Sequence, residues 1–460
     1  MSATEDHEPK IARCPGRGWD DLVREDSRPV PEFLAQDSYT YLGSDPIPVS
    51  RYISPEFFRR EIERMWPRVW QYAAREEDLP GVGDYVVYEN AGRSYLLVRQ
   101  PDRSIKAFHN VCLHRGRKLR SHDGTAKEFR CPFHGFSWNT NGALREIPCR
   151  WDFPHLAEES MALPEAETGL WGGYIFVRET SGGPSLQEYL SPLPRFFERY
   201  AHEEQVTVAW VGKTVPANWK VVTEAFIEAF HAFQVHPQAA GYLGDANTRY
   251  CIYSDNIGVS LSPHGVVSPQ LRGQKRDEQW IADQFQKSGH RRGTAVAPRI
   301  VLKEGETARR AAAEANRQFY EEQTGRDLSQ ASDAEMIDSM TYGVFPNFAP
   351  WGGFRTTVVY RFRPWPDVDR TLMEVRLLSW RNPELARART KPMVMLDDTQ
   401  PWAAAAELGK LGPVLDQDQA NMPQVHAGMR ASKTGHVSLG NYQEIRIRHL
   451  HQTLMKYLAD

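Results

Sequence analysis

The sequence predicts an α+β chain: an N-terminal all-β unit followed by a larger unit that mixes strands and helices. Three stretches carry this reading. Between Gly83 and Cys112, GDYVVYENAGRSYLLVRQPDRSIKAFHNVC holds three strand-like runs joined by Asn90-Ala91-Gly92-Arg93 and Pro101-Asp102-Arg103-Ser104, as in successive hairpins. Far downstream, FRTTVVYRFRP and TLMEVRLLSW partly alternate apolar and polar residues. Between these regions, Thr307 to Gly325 has a Thr cap, an Ala-rich interior and a Gly stop, the marks of a helix. A length of 460 residues leaves room for about two domains with proper cores.

In chain order, residues 1–50 are rich in prolines and charges and read as an irregular arm with little core of its own. Ser54 and Pro55 open SPEFFRREIERMW as N-cap and first helical residue, so a short amphipathic helix is expected to run to Trp66 and stop before Pro67. The expected division is residues 1–65 as an arm and helix packed on the C-terminal domain, 66–178 as the β domain and 179–460 as the second domain. GGYIFV from Gly172 closes the β domain, and ETSGGPSLQEYLSPLP links it to the second domain. Residues 270–335 are highly charged, and the mixed charges of the helix from Thr307 to Gly325 read as a solvated face. The last hundred residues look mainly helical.

Composition removes several classes. A net charge of −3 gives no general attraction to nucleic acid or an anionic membrane. No run of apolar residues is long enough to span a bilayer, and the polar start MSATEDHEPK lacks a signal peptide's apolar core. Cys112 and Cys131 each sit close to a His, in a pattern that suits metal binding. Cys14, Cys149 and Cys251 leave an odd number that does not suggest a disulfide framework, so a reducing, cytoplasmic setting is expected.

Two short ligand pairs lie in CLHRGRKLRSHDGTAKEFRCPFHGFSW: Cys112-x-His114 and Cys131-x-x-His134. Each loop offers one sulfur and one nitrogen, whereas a zinc finger usually groups Cys with Cys and His with His. The order suits a 2Fe–2S cluster in which two Cys hold one iron and two His the other; a structural zinc site is the alternative. Gly116 and Gly135 let the backbone close around the sulfurs. The stretch resembles the Rieske motif, Cys-x-His-Arg-Gly, a spacer, then Cys-Pro-Tyr-His-Gly-Trp. Phe133 and Phe136 stand where the family prefers Tyr and Trp, at positions expected to pack around the cluster.

The second informative stretch is NWKVVTEAFIEAFHAFQVHPQ, Asn218 to Gln238. On one helix Glu224, Glu228 and His231 would share a face, with apolar residues, Phe230 among them, over most of the rest. Pro237 is expected to end the helix at His236 and let that ring turn back toward His231. A buried structural His pair explains the spacing as well as a metal site does. The segment resembles the mononuclear iron motif of Rieske non-haem iron oxygenases at Asn218-Trp219-Lys220, Glu224, Glu228, His231 and His236, with Ala225 in place of Asn and Phe230 in place of Tyr. A facial triad needs one carboxylate besides. The family's is a distant Asp, commonly after Gln, which points to Gln417-Asp418 and makes Asp418 the expected ligand. Asp416 competes but reads, with Gln419, as a helix cap. Asp397 and Asp398 have no matching context.

With both motifs, the chain from about residue 45 onward resembles the catalytic alpha subunit of a Rieske non-haem iron ring-hydroxylating oxygenase. The resemblance implies a Rieske β domain and a helix-grip (START-like) catalytic domain, an antiparallel sheet and helices enclosing the iron. It implies a 2Fe–2S cluster on Cys112, His114, Cys131 and His134, and Fe(II) on His231, His236 and Asp418. Electrons would come from NAD(P)H through a ferredoxin or flavin reductase. Dioxygen and an apolar, aromatic or polycyclic substrate would react, the latter against Phe226, Phe230 and Phe233. A monooxygenase or demethylase acting on methoxy or alkylamine compounds is the neighbouring alternative; a metalloprotein that only transfers electrons is the distant one. The resemblance also implies a homotrimer, with or without a beta subunit, in which Glu228 joins His231 to the partner's His134.

Overall fold

The computed structural model describes residues 12–271, 276–288, 299–380 and 392–459. The start of the arm and parts of the charged 270–335 stretch lie outside the described residues.

The arm has too few apolar residues for a core and lends them to another. α1 (Trp19–Val23) and α2 (Glu32–Ala35) bury Trp19 and Leu34 in the main hydrophobic cluster of the C-terminal half. Trp19 Nε1 donates to Asp338 at 2.9 Å, and Arg309 is gripped by Asp26 and Asp338. α3 (Pro55–Arg60) begins as expected, with Ser54 Oγ accepting the Phe57 N–H at 3.2 Å. The α-helix does not reach Trp66, however. It widens into a π turn at Glu61–Met65 and tightens into a 3-10 turn at Trp66–Arg68. The wide turn carries the fully buried Glu61, which accepts from Trp219 Nε1 at 2.9 Å and from Lys220 Nζ; such turns often mark functional sites.

The first sheet uses β1 (Gln71–Arg75), β2 (Asp84–Asn90), β3 (Arg93–Arg99), β4 (Ile105–His109) and β5 (Gly124–Thr125). A separate three-stranded sheet holds β6 (Glu128–Arg130), β7 (Ser137–Asn139) and β8 (Leu144–Glu146). β9 (Glu165–Trp171) and β10 (Tyr174–Arg178) return to the first sheet, whose order is β1-β10-β9-β4-β3-β2-β5. The two hairpin turns read from the sequence fall between β2, β3 and β4.

The second sheet comprises β11 (Gln205–Val215), β12 (Arg249–Ile252), β13 (Ile257–Ser262), β14 (Ser339–Val344), β15 (Phe348–Pro350), β16 (Thr357–Pro364), β17 (Thr371–Trp380) and β18 (Val394–Leu396). Its order is β12-β13-β14-β15-β16-β17-β11-β18, antiparallel except at the β11–β18 edge. α4 (Trp219–Glu224) and α5 (Ala232–Val235) follow β11, and α6 (Ala308–Thr324) is capped by Thr307 and Gly325 as expected. The solvated-face reading of α6 fails at Arg309 and Arg317, both buried on carboxylates of Asp26, Asp338 and Asp333. α7 (Leu411–Ala431) packs Leu415 and Met422 into the cluster of Val211, Tyr360 and Val375, while α8 (Ile445–Ala459) lies over β12 and β13. This is the helix-gripped antiparallel sheet. Arg361 ties the halves together, pairing with Glu374 and donating to the carbonyls of Tyr72 and Ala73. Among the described residues no helix is long and apolar enough to cross a membrane.

Candidate metal centres

Cys112 and Cys131 head two loops with the same wiring. The N–H of Gly116 donates to Cys112 O at 2.9 Å and that of Gly135 to Cys131 O at 3.0 Å. The N–H groups of Cys112 and Cys131 donate to Arg117 O and Phe136 O, each at 2.8 Å. The closure needs φ of 75° at Gly116 and 83° at Gly135, where a side chain is disfavoured. The first loop leaves β4 and the second joins β6 to β7. Both sulfurs are buried, His114 is half-buried and His134 is exposed, and the two rings meet edge to face at 4.7 Å. The donors therefore sort into a sulfur side within and a nitrogen side without.

That sorting fits a Rieske cluster. His114 Nδ1 is buried without a hydrogen-bond partner, an arrangement that costs free energy unless a ligand takes the nitrogen. Backbone N–H groups of His114 and Arg115 point at the Cys112 sulfur, and those of Phe133 and His134 at Cys131. Burial raises the Cys112 thiol; at Cys131 burial is outweighed by the Phe133 N–H and the neighbouring thiol, and its pKa falls. Such hydrogen bonds tune a cluster's potential. Phe136 stacks on His114 at 4.6 Å, and Phe133, though 55% exposed, lies against the His134 ring at 3.9 Å, so both aromatics pack around the ligand loops as expected.

The second motif does not form one helix. α4 ends at Glu224, residues 225–231 turn, α5 follows, and a 3-10 turn at Pro237–Ala239 ends the segment. The Glu228 carboxylate accepts the N–H groups of Phe230 and His231, and Tyr250 Oη accepts that of Ala229 at 3.0 Å. Side chains thus take the amides a helical ladder would use. Two expectations fall with the helix. Glu224 leaves the face of His231 and accepts from Tyr52 Oη at 3.2 Å, with His451 Nε2 at 2.8 Å. Phe230 turns out to 51% exposure.

What the break achieves is convergence. His231 Nε2 lies 3.5 Å and His236 Nε2 2.9 Å from Asp418 Oδ1, and one donor atom from each residue falls within 4.8 Å of the others. The far nitrogen of each ring is held elsewhere: His231 Nδ1 by Glu228 Oε1, His236 Nδ1 by Gln417 Oε1 at 2.8 Å. Both Nε2 atoms are left for a shared ion. Asp418 Oδ1 is buried and lacks hydrogen-bond geometry despite its neighbours. The site wants positive charge. Burial lowers the pKa of His231, yet Asp418 and Glu228 overcome it and push the ring up to about 10. A cation would supply that charge to neutral rings, and two His with one carboxylate are the donor set of a facial ferrous site.

Asp416 is not an N-cap of its own helix. It lies inside α7 and accepts the N–H groups of Trp402 and Ala403, at 2.6 and 3.1 Å, while Gln419 accepts from Trp402 Nε1 at 2.7 Å. Asp397 closes a turn onto Thr399 and Gln400, and Asp398 pairs with Arg370. Sequence reasoning missed Gln417 as a partner of His236, although it was in view beside Asp418. It also missed His451 and Glu61, which no local pattern marks.

Comparison with known proteins agrees with this geometry. Residues 69–157 match the Rieske 2Fe–2S domain, and residues 197–460 match the ring hydroxylating alpha subunit (catalytic domain). The chain belongs to the family of ring-hydroxylating alpha subunits. Among curated proteins it is 27% identical over 229 residues to the large oxygenase component of salicylate 5-hydroxylase from Ralstonia sp, covering 46% of this chain and 54% of that one. It is 28% identical over 213 residues to the carnitine monooxygenase oxygenase subunit of Escherichia coli (strain K12), covering 45% and 57%. With the large oxygenase component of the naphthalene 1,2-dioxygenase system from Pseudomonas putida it shares 33% over 189 residues, covering 39% and 42%. The chain spans about half the length of the curated relatives it matches. Its fold is shared with a quaternary ammonium Rieske monooxygenase holding L-carnitine (TM-score 0.63, 15% identity, 90% and 95% of the two chains). It is also shared with naphthalene 1,2-dioxygenase holding indole (TM-score 0.64, 18% identity, 92% and 93%).

Proposed function

We propose that this chain is the terminal oxygenase component of a Rieske non-haem iron system, adding oxygen from dioxygen to an apolar, aromatic or polycyclic substrate. One observation carries the reading: a single chain holds both an S2N2 donor set and a separate set of two His and one carboxylate. Bound there, the cluster would supply electrons singly and the ferrous ion would activate dioxygen. Cys112 and Cys131 would hold the cluster's inner iron, and His114 and His134 its outer one. Glu228 and Gln417 orient His231 and His236, and Asp418 supplies the charge that keeps an ion between them. A protein that only transfers electrons would have no use for the second set.

Electrons would reach the cluster from NAD(P)H through a ferredoxin or flavin reductase, in the cytoplasm. We further propose a homotrimer, with or without a beta subunit, in which Glu228 connects His231 to the partner's His134. Exposed aromatics at both ends of that path support it: Phe230 beside His231, and Phe133 and Trp151, 55% and 80% exposed, on the cluster's side. A monooxygenase or demethylase is the second reading, favoured by the names of two relatives, a hydroxylase and a carnitine monooxygenase.

The test is anaerobic purification followed by iron, sulfide and visible-spectrum analysis, then turnover of aromatic, terpenoid and alkylamine compounds under labelled dioxygen. Label in the product with consumption of reductant is expected. Zinc without acid-labile sulfide would overturn the assignment.

A further inference from the structure

Glu228 presents its carboxylate to His231 from a turn that has no helical ladder to hold it. The amides of Phe230 and His231 go to that same carboxylate, so the turn is closed partly by the side chain it has to position. What fixes its backbone comes from outside. The Ile227 carbonyl accepts from Ser260 Oγ at 3.2 Å, and the Ala229 N–H donates to Tyr250 Oη at 3.0 Å. These two groups belong to the peptide units on either side of the Glu228 Cα. Peptide units are planar and leave only φ and ψ free. Pinning both units therefore fixes the two dihedrals that aim the carboxylate.

The second sheet supplies both hydroxyls from one place. Tyr250 on β12 and Ser260 on β13 face each other in the antiparallel register, which puts their side chains on one face of the sheet, about 5 Å apart. Both residues are buried, so neither hydroxyl turns to bulk water instead.

Each hydroxyl is oriented by a group at the start of α8. Gln443 Oε1 accepts from Tyr250 Oη at 3.3 Å, while Gln443 Nε2 donates to Ala246 O at 2.9 Å. The amide is thus set with its oxygen toward Tyr250, where it takes the phenol proton and leaves a lone pair for the Ala229 N–H. Arg446 Nη1 donates to Ser260 Oγ at 2.6 Å. A guanidinium cannot accept, so Ser260 keeps its own proton for the Ile227 carbonyl. The pair offers the turn opposite polarities, a lone pair to its N–H and a proton to its carbonyl.

We propose that Tyr250 and Ser260 are positioning residues for electron transfer, holding the backbone of Glu228 so that its carboxylate meets both His231 and the partner's His134. The inference rests on the reading of Glu228 as the bridge between the two centres. It adds the residues, remote in sequence, that keep the bridge in place. Without either hydroxyl Glu228 is still present, but one of its two dihedrals is released.

Tyr250→Phe and Ser260→Ala each delete one of the two contacts. Tyr442→Phe is the control, because Tyr442 packs edge-on against Tyr250 at 5.3 Å while its hydroxyl donates to Thr248 O at 3.1 Å. Hydrogen exchange of the holoenzyme, followed on peptides covering residues 225–231, should quicken about ten-fold or more in the first two variants, as expected for the loss of a buried hydrogen bond. It should stay at the wild-type rate in Tyr442→Phe. Rapid mixing of the reduced holoenzyme with dioxygen and the compound turned over fastest in the substrate screen should show cluster oxidation slowed about ten-fold or more in the same two variants. Iron content, cluster potential and KM should not change, a split that a general loss of stability would not produce. Should Ser260→Ala fail to fold, Tyr250→Phe, which keeps the whole ring, decides alone. Glu228→Ala is run alongside. If it too oxidises at the wild-type rate, the bridge is wrong and this inference falls with it. If Glu228→Ala is slow while Tyr250→Phe and Ser260→Ala match wild type, the bridge stands and the positioning role is overturned. Unchanged hydrogen exchange in both variants, or equal slowing in Tyr442→Phe, overturns it as well.

Discussion

Gln417 Oε1 lies 2.8 Å from Nδ1 of His236, while the next residue, Asp418, sits 2.9 Å from the same ring's Nε2. One turn of α7 therefore touches both nitrogens of a single imidazole. Gln238 Nε2 also donates to Gln417 Oε1, at 2.8 Å, which fixes the amide with its oxygen toward the ring. Removing a partner of this kind typically costs about ten- to a hundred-fold in metal affinity. Gln417→Leu should lower ferrous affinity by about that factor, measured by iron titration of the apo-protein, and leave cluster absorbance unchanged. Wild-type affinity in Gln417→Leu would show that the ring needs no such support.

The Cys–His loops should behave as one unit. His114→Ala or His134→Ala should abolish or change the Rieske spectrum, and Cys112→Ala should remove cluster iron and sulfide together. Retention of an unaltered spectrum in any of these would move the cluster elsewhere.

Asp418 and Asp416 should separate cleanly. Asp418→Ala should lose the iron in excess of the cluster's and lose turnover, with the visible colour retained. Asp416→Ala removes the acceptor for the Trp402 and Ala403 N–H groups, a capping loss of about 1 kcal/mol. It should lower Tm by about one degree and keep its iron. The reverse pattern would reassign the ligand.

Glu228→Ala should leave both metal sites occupied and the trimer formed, yet nearly stop electron transfer to the mononuclear iron. Rapid mixing of the reduced protein with substrate and dioxygen, watching cluster oxidation, is the measurement. Wild-type oxidation rates, or a fully active monomer, would refute the role.

Glu224 should make stability fall with rising pH. Burial raises its carboxyl to about 8 from 4.5, only partly opposed by Tyr52 and Lys220. A carboxyl that binds its proton more tightly when folded contributes stability fully below the unfolded pKa, and this is lost as pH rises through the folded one. Wild-type Tm should therefore drop relative to Glu224→Gln between about pH 4.5 and 8. Parallel curves over that window would rule the effect out.

The sequence alone determined the Cys–His loops. Their ligands lie two or three residues apart on turns closed by Gly116 and Gly135, so local backbone geometry suffices to place them. It also determined the ends of α6, because Thr307 and Gly325 act on amides and carbonyls a few residues away. The tertiary structure alone decided the rest. Resemblance singled out Asp418 over Asp416, Asp397 and Asp398, but only the packing of α7 on the second sheet brings its carboxylate to His231 and His236. Helical spacing placed Glu224 beside His231, but Glu228 and Tyr250 capture the intervening amides and His451 draws Glu224 away. Those partners lie up to 227 residues apart in the chain. The energy that selects them comes from burial and hydrogen bonds made after the sheet and helices have met, which no short window of sequence contains.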